Sequence, residues 1–492
     1  MKSQRGANVG QKRAGALSRI DTKGWKLISL EYGHHTIQIY VPGDSFEISL
    51  GKVPHIDNAR SETERAISNP IGSPKLEEIV KKNGKNPKEM TASVTVSDIT
   101  RPVPYKEEKG ILTPILQKLE SGGIQKKNIK IIVGTGMHRP STYEEKVEMF
   151  GKEVVEQFTI LDHDCENNDL LQSIGKSRRG TNVYVNRDFY FSDLKIATGL
   201  VESHFMTGIS GGRKSICPGL VDVKTIQRFH GSTYLEDPNS TNLVLEGNPC
   251  HEEALEVART VGVDFIVNVT LDKDMHITRV FAGDLVEAHM KAFEMIKVYA
   301  EIPLQKQFDI VLTHGGYVGR DHYQTAKAGI GAMPAVKAGG IIIIAANNRD
   351  KEPIGSPEYK SLLHLMKIQG PEKYLELLKS PNWRFTKDQW EPEEWGKPLK
   401  KVGSEGLIYC SGEILMENYA IIPGTSGYAF LPRPSAHLSN LEKAQLMVQN
   451  ALVESILRLR KKNIEPSVCY IREGPYAVPT FKNSGQKIES LF

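Results

Sequence analysis

Ala92-Ser93-Val94-Thr95-Val96-Ser97-Asp98-Ile99-Thr100-Arg101-Pro102-Val103-Pro104 is a β-branched run that stops at an aspartate and an arginine beside two prolines. Branched side chains fit a pleated backbone, and proline ends one by removing an N–H donor. A strand that stops at polar groups and is followed by a helix (expected over 111–119) is the unit of an α/β sheet, which places its sites at strand carboxyl ends. The form recurs. A strand over 129–133 runs into Gly134-Thr135-Gly136-Met137-His138-Arg139-Pro140, and Ser141 or Thr142 is placed to cap a helix starting at Tyr143. Strands are also expected at 158–162, 194–198 and 265–271. This alternation predicts an α/β fold with mostly parallel, doubly wound sheets.

Working outward, residues 25–50 alternate apolar and polar around Gly33-His34-His35 and read as a hairpin, and 59–84 carry helical signals. Near 302–307 the pattern restarts. Strands at 308–313, 340–346 and 406–410 alternate with helices at 321–337, 357–369 and 440–461. The expected organisation is a mobile lead-in (1–24), an N-terminal α/β catalytic and cofactor domain (25–304), a C-terminal α/β domain (305–475), and a tail (476–492) returning to the N-terminal domain. The site is expected in the cleft between the two domains. The Trp/Pro/Glu/Lys-rich passage 381–401 reads as a loop-rich lid or excursion.

The chain has 492 residues, 39% hydrophobic and 25% charged, with a formal net charge of +4. That balance gives no basis for a nucleic-acid or anionic-membrane partner. No apolar run reaches the roughly twenty residues that span a bilayer. The five cysteines are odd in number and show no C-x-x-C spacing, which fits a reducing compartment and a cytoplasmic location.

A third polar loop is Gly208-Ile209-Ser210-Gly211-Gly212-Arg213-Lys214-Ser215-Ile216-Cys217-Pro218-Gly219, with His204 before it and His230 after it. A glycine-rich loop leading into a helix is an anion seat, since its amides point outward at the positive end of the helix dipole. The loop departs from a P-loop, which requires glycine where Arg213 stands. Lys214 reads as a phosphate-binding cation, a covalent anchor for a cofactor, or a solvated lysine. Arg101 is either a carboxylate clamp or an ion-pair partner of Asp98. His138 is a general acid or base, or a helix-flanking structural group. His204 and His230 are candidate metal ligands, although with fourteen histidines any one alone is more ordinary as a structural residue. Asp162-His163-Asp164 reads as a polar loop, because adjacent residues rarely point at one ion. In the second half, Tyr323, Gln324 and Lys327 share one face of a helix start.

Taken together, Asp98-Ile99-Thr100-Arg101-Pro102, Gly134-Thr135-Gly136-Met137-His138-Arg139, His204 through Ser210-Gly211-Gly212-Arg213-Lys214-Ser215 to Pro218-Gly219, His230, Tyr323-Gln324 with Lys327, and Asp388-Gln389-Trp390 resemble the nickel-dependent lactate racemases and their 2-hydroxyacid racemase and epimerase relatives. The resemblance spans roughly residues 90–390. It implies a nickel-pincer nucleotide, a pyridinium-3,5-bisthiocarboxylic acid mononucleotide, bound covalently at Lys214 with His230 as the protein ligand of Ni(II). Asp98, Ile99, Thr100 and Arg101 would line the cofactor, His138 and His204 would be the catalytic pair, and Arg101, Gln324 and Lys327 would hold a small anionic 2-hydroxy acid. Tyr323 and Trp390 would shape the pocket, and cofactor-biosynthesis enzymes would be partners. The amides of Ser210, Gly211 and Gly212 are the expected phosphate seat. Two readings compete: a P-loop-like phosphotransferase using Asp98 for Mg²⁺, which the broken Walker pattern disfavours, and a non-catalytic nucleotide- or organic-acid-binding homologue, which needs neither histidine.

Overall fold

The computed structural model describes residues 16–106 and 110–481. The chain divides into two compact bodies, one of Lys52–Tyr299 and the other of the residues up to Gly51 together with those from Ala300 onward.

The body Lys52–Tyr299 is built on a six-stranded sheet in the order Ile277–Gly283, Phe265–Leu271, Leu194–Leu200, Ala92–Ser97, Ile129–Gly134, Thr159–Asp162. Neighbours are parallel except Ile277–Gly283, which returns antiparallel along one edge. The central strands are buried on both faces, as parallel strands flanked by helices must be, and this explains their near-continuous apolar runs. Ile67, Val94, Ile115, Leu119, Ile131 and Val267 belong to the resulting core. Residues 59–84 form two helices, Ala59–Ser68 and Leu76–Lys82, separated by a stretch holding Pro70, Gly72 and Pro74.

The second body carries an all-parallel sheet ordered Thr425–Ser426, Leu407–Cys410, Val336–Ala345, Phe308–His314, Val468–Ile471, Phe46–Ile48. The hairpin Lys26–Tyr32/His35–Val41 forms as expected. Its alternate residues Leu30, Ile37, Ile39 and Val41 pack into the core of this body with Ile341, Ile343 and Leu452.

Four expectations need correction. Residues 25–51 belong with the C-terminal half, because the hairpin buries its apolar face there and Phe46–Ile48 pairs with Val468–Ile471. Residues 16–24, expected as part of a mobile lead-in, are docked: Ala16 is buried, its amide donates to Asn450 Oδ1 at 3.3 Å, and Arg19 pairs with Glu454. The tail strand Val478–Thr480 pairs with Glu301–Pro303 inside the second body rather than returning to the N-terminal domain. Finally, most of 381–401 is no lid. Trp390–Val402 is a helix, with Trp395 1% exposed and Glu391, Glu393 and Glu394 buried. Pro392 lies in its first turn, where no intrahelical donor is lost. Residues 1–15 and 482–492 lie outside the described residues. Among the described residues, no helix is long and apolar enough to cross a membrane.

Candidate active site

In the body Lys52–Tyr299 the chain starts at the central strand Ala92–Ser97, builds outward to Ile129–Gly134 and Thr159–Asp162, then returns to Leu194–Leu200 on the other side. The carboxyl ends of Ala92–Ser97 and Leu194–Leu200 therefore flank a topological switch point, where open α/β sheets hold their ligands. Asp98 and Arg101 follow the first of these strands, His138 follows the neighbouring Ile129–Gly134, and His204 follows the second.

Asp98 is 6% exposed. Its Oδ2 lies 2.5 Å from His138 Nδ1, and Oδ1 accepts from the Thr100 amide at 3.2 Å and the Thr100 hydroxyl at 2.6 Å. Burial alone would raise its pKa, but the His138 and Thr100 hydrogen bonds and the charges of His138 and Arg101 outweigh it and hold the carboxyl below the usual range. His138 reaches Asp98 through a turn in which its amide donates to Thr135 O at 2.9 Å, and half of its side chain is exposed. Arg101 is half-buried, and Ile99 packs against the hydrophobic core.

His204 sits on a two-residue strand paired with Gly208–Ile209 and is 6% exposed. Its Nδ1 accepts from the amides of Met206 and Thr207 at 3.2 and 3.4 Å, and its Nε2 lies 2.9 Å from Lys214 Nζ. Lys214 stands on a single 3₁₀ turn, Gly212–Ser215. His230 ends the helix Val223–Phe229, which Asp222 caps, and its Nδ1 donates to Ile226 O at 2.9 Å. Burial, then the charges of Lys214 and His138, lower the His230 pKa to about 4. The ring is neutral at physiological pH, with its Nδ1–H tied to the backbone. His138, His204, Lys214 and His230 are thus brought together.

The expected anion seat does not form. The Ser210 amide donates to Glu202 O at 2.9 Å and the Gly212 amide to Asn268 Oδ1 at 2.8 Å, so two of the three amides point inward. Lys214 also lacks a helix dipole, since a single 3₁₀ turn carries it. The glycines serve packing instead. Gly211 and Gly212 have positive φ, and a Cβ on Gly212 would meet the His289 ring at 2.7 Å. Arg213 is a buried clip rather than an anion ligand. It is 1% exposed, and its guanidinium reaches Thr207 O at 2.8 Å, Gly211 O at 3.3 Å and His289 Nε2 at 3.1 Å. Burial pulls its pKa down to about 9, so it stays charged at neutral pH. Sequence reasoning missed Asn268 and the Asp98–His138 pair. An asparagine inside the apolar run Phe265–Leu271 was the visible signal for the first. The second depends on two loops forty residues apart. Asp162, His163 and Asp164 do not converge: His163 Nε2 bonds Val221 O at 2.9 Å, while Asp162 accepts from the Ser141 amide and pairs with Lys146.

In the second body, Asp321 caps the helix His322–Ala332 by accepting from the Gln324 amide at 2.7 Å. Tyr323, Gln324 and Lys327 form its half-buried face, whereas His322, Thr325 and Ala326 are buried. The Trp390 indole N–H donates to the Tyr323 hydroxyl at 2.8 Å. Burial, opposed in part by the Gln324 amide, raises the Asp321 pKa to about 7. Burial likewise pushes Glu391 well above its ordinary range, with Glu394 adding to the rise and the Lys327 charge opposing it.

Residues 32–242 match the family described as the lactate racemase N-terminal domain. The chain is 33% identical over 378 residues to a lactate racemase of Lactiplantibacillus plantarum, covering 76% of this chain and 86% of that protein. It is 35% identical over 288 residues to one of Thermoanaerobacterium thermosaccharolyticum, covering 58% and 65%. The structure of the lactate racemase apoprotein from the latter organism superposes with a TM-score of 0.78 at 26% identity, over 93% of this chain and 100% of that one.

Proposed function

The chain belongs to the lactate racemase family and is an isomerase; from that premise we propose that it inverts C2 of a 2-hydroxy acid, lactate or a larger one, with His138 and His204 as alternating acid and base. The observation that carries the proposal is the gathering of His138, His204, Lys214 and His230 at one switch point.

These residues fit the implied nickel-pincer nucleotide. His230, a neutral imidazole whose Nδ1 donates to Ile226 O, would be the protein ligand of Ni(II). Lys214 would be the covalent anchor. Bound there, the group would supply a reversible acceptor for the C2 hydride. The chain's own residues do the rest. With Nδ1 of His138 turned to Asp98, Nε2 is the atom that receives the hydroxyl proton of one enantiomer. His204 is assigned to the other; two backbone amides donate to its Nδ1, so its neutral ring carries the proton on Nε2. Two bases are needed because the enantiomers present their hydroxyl groups differently. Arg101, Gln324 and Lys327 are assigned to the substrate carboxylate, which must be held while the 2-keto acid turns its other face. Tyr323 and Trp390 are assigned to the pocket wall.

A phosphotransferase is disfavoured by the inward-turned Ser210 and Gly212 amides, and a simple binder has no use for the carboxylate-held base His138. The five cysteines, all free and buried, support a reducing, cytoplasmic setting, and cofactor-biosynthesis enzymes are the proposed partners.

Protein produced with cofactor-assembling enzymes is expected to gain mass on the peptide holding Lys214 and to contain nickel. His138→Ala and His204→Ala should each lower racemisation by about 10²–10⁴-fold with nickel retained. Near-normal turnover in either variant, or an unmodified Lys214 in an active enzyme, would overturn the assignment.

A further inference from the structure

Asp98 has been grouped above with the residues lining the cofactor, but its oxygens are already committed. Oδ1 takes both the amide and the hydroxyl of Thr100, and Oδ2 takes His138 Nδ1. We propose that Asp98 is a positioning residue for the base His138, fixing its tautomer and ring direction, rather than a cofactor ligand; this rests on the racemase reading.

A buried, ionised carboxylate is an acceptor only, so the nitrogen facing it must be N–H. A neutral His138 then has its proton on Nδ1 and its lone pair on Nε2, the form a general base requires. The carboxylate also stabilises the imidazolium formed once that base has taken a proton. Thr100 locks the carboxylate in turn, since its two donors grip one oxygen and leave the other directed at the ring. Half of the His138 side chain is exposed, and Asp98 supplies its side-chain hydrogen bond. His204 is oriented by a different device. Two backbone amides meet its Nδ1, so its tautomer is set by main chain that no side-chain substitution removes.

Asp98→Asn separates the possibilities. An amide of the same shape can donate to Nδ1 and so move the ring proton to Nε2, where it blocks the base. The expected result is a fall in kcat of about 10²–10⁴-fold, with KM within a few-fold, and with nickel content and the mass at Lys214 unchanged. Asp98→Glu should recover part of the loss. Nitrogen NMR of the unloaded protein provides a readout independent of activity, with the His138 proton on Nδ1 in the wild type and on Nε2 in Asp98→Asn. Loss of the Lys214 mass with normal turnover per loaded site would make Asp98 a cofactor ligand and overturn the proposal, as would an unchanged tautomer. A wild type that racemises no 2-hydroxy acid would sink the racemase reading, and the tautomer shift would still decide whether Asp98 orients the ring.

Discussion

The two bodies share a construction, a parallel sheet with polar loops at its strand ends, yet they arm those loops differently. In Lys52–Tyr299 the loops carry nitrogen bases whose protons are set by fixed partners: Asp98 for His138, the amides of Met206 and Thr207 for His204, and Ile226 O for His230. In the other body the helix His322–Ala332 presents Lys327 among buried acids, Asp321 and Glu391, backed by an aromatic layer in which the Trp395 and His322 rings stack at 4.6 Å. The first arrangement suits proton transfer at defined atoms. The second is proposed to hold the substrate carboxylate through Lys327. The architecture is common to both, and the difference comes from a few residues at the strand ends.

The comparison can be pressed hardest with acid. His314 is depressed to about 4 and His322 to about 3, both chiefly by burial. Unfolded, each would titrate near 6.5, so between pH 6.5 and 4 the unfolded chain binds more protons and stability falls as pH drops. Together they should cost on the order of 5 kcal/mol over that window. Urea midpoints at pH 7 and pH 4.5 measure the loss, and His322→Phe should flatten the slope. An unchanged slope would mean that this histidine is not held neutral by its aromatic layer. Next in size, Trp395→Ala should destabilise the protein by about 3–5 kcal/mol through the cavity it opens, read as a drop in denaturation midpoint.

Lys327→Met tests the division of labour itself. It should raise KM by about 10–100-fold, the worth of a hydrogen bond to a charged group, with a smaller change in kcat. A collapse of kcat at unchanged KM would place Lys327 with the proton-transfer groups instead. The smallest effect belongs to Tyr323→Phe. It removes the acceptor of the Trp390 indole N–H and should cost about 1 kcal/mol, visible in thermal stability.

Much of this was legible in advance because it is local. Strand 265–271 and helix 357–369 were read with their observed bounds, since apolar periodicity and Pro/Gly punctuation act within one element. The misreadings share one cause. The helix Trp390–Val402 looked like a loop because Pro392 and Pro398 count against a helix locally, and only burial against its neighbours overrides that. The hairpin of residues 25–51 gave no sign of which core it would join, because an amphipathic hairpin fits any complementary apolar face.

What the sequence by itself determined is the α/β class and the order of most strands and helices, because these rest on side-chain chemistry and near-neighbour spacing. Tertiary structure alone decided that the Ser210 and Gly212 amides turn inward, that Arg213 is a buried clip, and that Asp98 faces His138 rather than being left to a ligand. Each of those outcomes depends on which distant atom arrives within about 3 Å, and only the completed fold sets that distance.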